Sequence, residues 1–206
     1  MMENEKHIIL ASGSPRRIQM FKDHGFHIEV RPADVDENLP EGIEPRDAVM
    51  YLALKKGLWV EEQLKRQQEE DNAVSEPSAK SSLIVAADTV VYVDGQILGK
   101  PRDREDAYRM ISQIAGGSHY VATGVCLLRP QNPLRACFYD ATRVYVKPMT
   151  KEDINGYLDT DEPYDKAGAY AIQGIFGKFI DRIEGDMNNV IGFPWNRFEE
   201  VYNRIK

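Results

Sequence analysis

The segment Ser12-Gly13-Ser14-Pro15-Arg16-Arg17 concentrates the groups that hold an anion. Two hydroxyls and a glycine give close backbone approach. Two arginines add permanent charge and the forked geometry that fits phosphate oxygens. Pro15 after Ser14 reads as the first residue of a helix with Ser14 as its N-cap. A helix start carries free N–H groups and the positive end of the helix dipole, which together attract anions. Two cations there oppose the dipole, and a bound anion offsets that cost. The plainer alternative is a capped helix with two solvated arginines. Adjacent helical positions diverge by ~100°, so spacing leaves open whether Arg16 or Arg17 faces a ligand.

The second group is acidic. Asp88 follows the apolar run Leu83-Ile84-Val85-Ala86-Ala87 and reads as the end of a strand, where open α/β sheets place ligands. Asp34, Asp36 and Glu37 lie in a loop and singly read as solvated. Carboxylates converging near phosphates suit Mg²⁺, which keeps several waters and bridges to substrate oxygens. A carboxylate could also accept a proton from an attacking water. Lys100 stands between Gly99 and Pro101, either held in place or solvated in a turn. The stretch Glu162–Tyr170 leads into Gln173-Gly174. Asp165 and Lys166 there read equally well as an internal ion pair, and Gln173 carries both donor and acceptor for a base edge.

These residues need elements to position them. His7–Ala11 is a short apolar run suited to a buried strand, followed by the turn and a helix with Ile18 and Phe21 on one face, stopping near Gly25. Phe26–Pro32 reads as a second strand, and a helix is expected from Pro45 through Val49, Leu52 and Trp59 to about Arg66. Gln67–Ser82 has almost no large apolar residue and is expected to be a mobile surface insertion. After Leu83–Ala87, Val90–Val93 and Gln96–Leu98 flank the hairpin turn Asp94-Gly95. Asp103 caps a helix with Ala107, Met110, Ile111 and Ile114 at i, i+3, i+4 and i+7. Strands Tyr120–Leu128 and Arg135–Val146 flank a proline-rich turn. Thr150 with Asp153 starts another helix, and Phe198, Val201, Tyr202 and Ile205 share one face of the last. Interleaved helices and hairpins predict an α/β fold with a mixed β-sheet and flanking helices.

Bulk properties limit the function classes. The 206 residues carry 26 basic and 33 acidic side chains, a net charge of −7, which argues against a general nucleic-acid binder. A few converging cations can still hold a small polyanion. No apolar run approaches the ~20 residues of a membrane span. The polar start, Met1–His7, lacks the apolar stretch of a secretory signal, so a cytoplasmic address is expected. The four histidines form no zinc motif. Cys126 and Cys137 flank the turn symmetrically and could pair. The cytoplasmic reading favours two reduced, small apolar side chains.

Six blocks in order, Ala11–Arg17, Ala87–Val91, Leu98–Pro101, Thr123–Val125, Asp165–Gly174 and Asn189–Pro194, resemble the motifs of the Maf family of nucleoside triphosphate pyrophosphatases. The resemblance implies a single domain over residues 1–206. It implies a mixed-sheet α/β fold similar to that of the inosine triphosphatases, with two lobes around a cleft. It also implies a divalent metal, Mg²⁺ or Mn²⁺, and cleavage of a nucleoside triphosphate to the monophosphate and pyrophosphate. By position, Ser12, Ser14, Arg16, Arg17 and Lys166 match the substrate-binding set. Asp88, Lys56 and Lys100 match the catalytic set, and Glu37 with Asp88 the metal site. Lys55 leaves the Lys56 assignment open by one position. Arg16, Thr89, Lys100 and Gln173 resemble the set marking the subfamily that acts on dTTP and UTP. A homodimer and a role in removing non-standard nucleotides are implied by the resemblance alone. The rival expectations are a non-catalytic regulator of cell division and a pyrophosphatase for inosine or 7-methylguanosine triphosphate. Trp195 departs from the family pattern, where a smaller apolar residue is common.

Overall fold

The computed structural model describes residues 7–70, 83–130 and 133–205. Seven strands form one mixed sheet: β1 (His7–Leu10), β2 (His27–Val30), β3 (Leu83–Val93), β4 (Gln96–Leu98), β5 (Ser118–Leu128), β6 (Arg135–Val146) and β7 (Ile180–Glu184). The order is β2-β1-β3-β5-β6-β7, with β4 also pairing with β3. β1 runs parallel to β2 and β3, and the other pairs are antiparallel. The helices are α1 (Pro15–Asp23), α2 (Pro45–Glu70), α3 (Arg104–Ile114), α4 (Lys151–Leu158), α5 (Met187–Ile191) and α6 (Trp195–Ile205). The expected mixed α/β architecture is what the chain adopts. Among the described residues no helix is long and apolar enough to cross a membrane.

Helix α2 covers one face of the sheet, with Ala53, Val60 and Leu64 on Ile84, Ala86, Cys126 and Leu128. It lies so close that a Cβ on Gly124 would meet the Val49 carbonyl oxygen at 2.3 Å. The opposite face carries two cores side by side. One packs α1 and α6 on β1, β3 and β5 through Phe21, Phe193, Trp195 and Phe198. Trp195 fills it edge-on to Phe21 at 5.1 Å. The other packs α3, α4 and the 3-10 turns on Val91, Val121 and Val144. Between the cores lies a polar layer of Thr89, Thr123 and Asn189. The Thr89 and Thr123 hydroxyls meet at 2.9 Å, and Asn189 Nδ2 donates to Val121 O and Thr142 Oγ1. Two apolar cores separated by a polar seam are the physical form of two lobes.

Several local expectations hold. Ala107, Met110, Ile111 and Ile114 are buried on one face of α3, and the Asp103 carboxylate accepts from Asp106 N. Thr150 and Asp153 form a reciprocal capping box. Ser14 stands at the N-cap of α1 without a side-chain capping bond.

Three expectations are corrected. Asp88 does not end a strand: β3 continues unbroken to Val93, because Asp88 and Thr89 find polar partners within the sheet's surroundings. Gln67–Glu70 do not belong to a mobile insertion but extend α2. Gln and Glu are good helix formers, and a helix can project beyond its packed face; residues 71–82 of that expected insertion lie outside the described residues. Cys126 and Cys137 are not a pair of thiols but a disulfide. The β5–β6 register sets them directly opposite, with Cα atoms 4.2 Å apart.

Candidate active site

The site is built on an interrupted sheet edge. β1 pairs with β3 only as far as Val85, and β4 takes up the same edge only from Val91. Between them the backbone of residues 86–90 has no strand neighbour on that side. A strand edge left bare must find other partners or water. Arg17 supplies one. Its Nη1 donates to Ala87 O at 2.9 Å and to Ser12 Oγ at 3.1 Å, its Nη2 to Thr89 Oγ1 at 2.9 Å, and its Nε to Gly192 O at 2.8 Å. One buried guanidinium thus ties the first turn, the β3 edge and the end of α5 together. All four acceptors are neutral oxygens. Burial pushes the Arg17 pKa below its ordinary value. Asp88 opposes that shift, Arg16 adds to it and Glu37 opposes it.

Successive residues of a strand face opposite ways. Thr89 therefore turns toward Arg17 and α5, whereas Asp88 turns toward α2. There Lys56 Nζ stands 2.6 Å from Asp88 Oδ1 and 2.6 Å from Glu37 Oε1. The Lys56 and Asp88 side chains are largely buried, 12% and 11% exposed, while Glu37 is 58% exposed. The register of α2 turns the two lysines in different directions. Lys56 faces the cleft, and Lys55 points away, donating to Asp36 O and lying over the Tyr51 ring.

These groups open into a cleft of about 370 Å³, within the range of small-molecule sites. Its polar wall holds Ser14, Arg16, Arg17, Glu37, Lys56, Asp88, Thr89 and Lys100. Its apolar wall holds Val91, Val121, Tyr170, Ile172, Val190 and Ile191. Asp165 and Lys166 also line it, and they form the expected ion pair at 2.5 Å. Arg16 is exposed and makes no hydrogen bond or ion pair among the described residues, and the same is true of Lys100. The helix dipole of α1 meets no acidic residue in its first turn. Net positive potential therefore concentrates on the polar wall of an acidic protein.

Two predicted site residues fall elsewhere. Ser12 is buried behind the wall, its hydroxyl accepting from Arg17 and from Ser14 N. Gln173 lines an adjoining open cavity of about 500 Å³ with Gln19, His24 and Asn188; Arg16 and Ile191 belong to both cavities.

Sequence reasoning missed the residues that hold the walls. Asn189 has no role in the expectations, yet it is fully buried and clamps α5 to β5. Tyr170, on the apolar wall, has its hydroxyl 2.6 Å from Nε2 of the fully buried His119, whose Nδ1 has no partner among the described residues. Burial lowers the His119 pKa to about 4 and raises that of Tyr170. The Asn189–Pro194 block was visible as a motif, but its work depends on contacts far apart in the chain.

Carboxylates of Glu37 and Asp88 reach the same point, now held by the Lys56 ammonium. Two hard oxygen donors beside a cationic phosphate-sized cleft fit a divalent ion that takes its remaining ligands from water and substrate. Among the described residues no three His, Cys, Asp or Glu side chains form a site able to hold a metal by themselves.

Comparison with known proteins adds the lineage. The family described as Maf-like protein matches residues 7–205. A dTTP/UTP pyrophosphatase of Caldicellulosiruptor bescii is 40% identical over 200 residues, 97% of this chain and 95% of that protein. One from Caldanaerobacter subterraneus subsp. tengcongensis is 38% identical over 197 residues, covering 96% and 88%. One from Anaeromyxobacter sp. (strain Fw109-5) is 40% identical over 200 residues, covering 96% and 88%. Among solved structures, the Staphylococcus aureus Ham1 protein aligns over 98% of this chain and 100% of its own at 12% identity, TM-score 0.48.

Proposed function

The chain belongs to the Maf family, and from that premise we propose that it hydrolyses dTTP and UTP to the nucleoside monophosphate and pyrophosphate with the help of a divalent metal. The observation that carries this reading is the Glu37–Lys56–Asp88 bridge at the floor of a cleft whose exposed cations Arg16 and Lys100 make no ion pair among the described residues. Such a wall suits a polyphosphate. The relatives that carry the dTTP/UTP name match nearly end to end.

In this reading Arg16, Lys100 and the free N–H groups of α1 bind the phosphates. Lys56 holds Asp88 and offers positive charge where negative charge grows on the transferring oxygens. Asp88 Oδ1 is engaged by Lys56, and Oδ2 has no protein partner among the described residues. That oxygen is free to take a proton from the attacking water. Glu37 and Asp88 would hold the metal, Mg²⁺ or Mn²⁺, which supplies Lewis acidity toward phosphoryl oxygens. The apolar wall excludes water behind the ribose and base. Arg16 stands where both cavities meet, with Gln173 beyond it, so a base lying past Arg16 would meet the amide of Gln173.

The test is turnover of dTTP and UTP with Mg²⁺, scored separately for pyrophosphate and orthophosphate. Pyrophosphate should be the sole inorganic product and EDTA should stop its release. Orthophosphate as the main product overturns the reading.

A further inference from the structure

The loop that leads from the cleft to Gln173 is held by a residue with no role in the chemistry above. Glu162 opens the segment Glu162–Gly174, and its carboxylate closes it. Oε2 accepts from Ile175 N at 2.6 Å and Oε1 from Phe176 N at 3.2 Å. Those two N–H groups begin a 3-10 stretch, Ile175–Phe179, whose first donors have no partner within it. Tyr157 Oη lies 3.1 Å from Glu162 Oε1 and 3.1 Å from Ala169 O. Burial, and then Glu162 itself, raises the Tyr157 pKa, so its hydroxyl stays a donor. No basic side chain pairs with Glu162 among the described residues; its charge is spent on backbone N–H groups, where ionised acceptors bind more strongly than neutral ones.

The fit also requires a particular neighbour. A Cβ on Gly174 would lie 2.0 Å from Glu162 Oε2. Gln173, Gly174 and Ile175 are exposed, and Ile172 on the cleft wall is the last partly covered residue before them. The turn bearing Gln173 therefore has little packing of its own and depends on the remote carboxylate.

We propose that Glu162 is a positioning residue for base recognition: by capping the turn at Ile175 and Phe176 it fixes Ile172 and Gln173 relative to the cationic wall, without touching substrate. The inference rests on the nucleotide reading of the cleft. Base selectivity then belongs to a clamp made of Glu162 and Gly174 together, while polyphosphate binding is independent of it.

Two variants approach the clamp from opposite sides. Glu162→Gln is nearly isosteric but turns one acceptor into a donor facing an N–H. Gly174→Ala leaves Glu162 in place and drives a methyl group into its carboxylate. For each, kcat and KM are measured with dTTP, UTP and inosine triphosphate, together with the inhibition constant of inorganic tripolyphosphate, which has no base. The KM for dTTP should rise about tenfold with kcat held within about threefold, and the preference for dTTP over inosine triphosphate should shrink about tenfold. The tripolyphosphate constant should stay at its wild-type value. The double variant should be no worse than the poorer single one, since both break the same contact. Unchanged dTTP preference in both variants overturns the inference alone. So does a parallel loss of all substrates and of tripolyphosphate binding, which marks a general fold defect. A wild-type protein that turns over no nucleotide overturns the nucleotide reading as well.

Discussion

At the cationic end of the cleft the charged groups come from long regular elements, Lys56 from α2 and Asp88 from β3, or from the start of α1, and a buried arginine knits those elements together. At the far end the wall is a run of 3-10 turns whose first part packs into the core beside Val91 and His119 and whose last, exposed residues Gln173–Ile175 are held by one carboxylate. The first end is rigid where Lys56, Asp88 and Arg17 are seated in helices and a strand that are stable for other reasons, with Glu37 and Lys100 joining them from loops. Within the second, the exposed stretch Gln173–Ile175 has little packing of its own, and its geometry rests on the Glu162 carboxylate. Chemistry common to all triphosphates can afford only the first kind of support. In the proposed reading, choice among bases belongs to the second, where small changes would alter preference without unfolding the protein.

Asp88→Asn should show the largest effect and test the first half of that contrast. It is isosteric, keeps a partner for Lys56, and would remove both the proposed proton acceptor and the proposed anionic metal ligand. Pyrophosphate release from dTTP should fall about a thousandfold, with the melting temperature little changed. Loss of stability in proportion to activity would break the claim that this end is independently seated.

How much of this was legible follows the same division. The helical periodicity at Ala107, Met110, Ile111 and Ile114, the Thr150–Asp153 box and the bounds of β6 are local signals and read directly. Asp88 stands out in the sequence and lines the cleft, but the sequence reads it as a strand end because the apolar run stops at Ala87. The strand continues only because Lys56 and Arg17 satisfy the polar side chains that follow. The acceptors of Arg17 on Ala87 and Gly192 lie 70 and 175 residues away, so no local pattern announces them. β7 is too polar on its exposed side and α5 too short, at five residues, to stand out by periodicity. Glu162 read only as the start of a motif, since its donors are defined by tertiary approach. The cysteines sat symmetrically about a turn; register, not compartment, decided their pairing.

Arg17→Met should have the next largest effect and separates a brace from a ligand. It leaves the Ala87 carbonyl without its donor and the Gly192 carbonyl with only the Thr89 hydroxyl at 3.4 Å, and a buried unmet acceptor costs about 1–3 kcal/mol. Urea unfolding should show a loss of about 3 kcal/mol along with the loss of activity. A variant of wild-type stability that fails only in turnover would make Arg17 a substrate ligand instead.

His119 probes the support behind the apolar wall. Its folded pKa of about 4 lies below the ordinary value of 6.5. Between those values the unfolded chain binds more protons than the folded one, so stability is full above about pH 6.5 and declines as pH falls toward 4. His119→Phe removes that dependence while costing a constant amount for the lost Tyr170 contact. From pH 7 to pH 5 the wild type should lose about 2 kcal/mol more than the variant. Parallel stability curves for the two proteins would show that His119 is not held neutral.

The smallest expected effect sharpens the comparison most finely, because it concerns neighbours in one helix. Lys55 and Lys56 are chemically identical and ~100° apart around α2. Lys56 is enclosed between two carboxylates. Lys55 donates to a loop carbonyl at 2.5 Å and covers the Tyr51 ring from outside, a contact open to solvent. Exposed polar contacts of this kind contribute about 0–1 kcal/mol. Lys55→Ala should therefore leave kcat/KM for dTTP within about threefold of wild type, whereas Lys56→Ala should lower it at least about a hundredfold by leaving Glu37 and Asp88 to repel each other without their shared cation. If the two variants lost activity equally, the orientation of α2 over the sheet would have to be different. The Glu37–Lys56–Asp88 bridge could then no longer serve as the floor of the site.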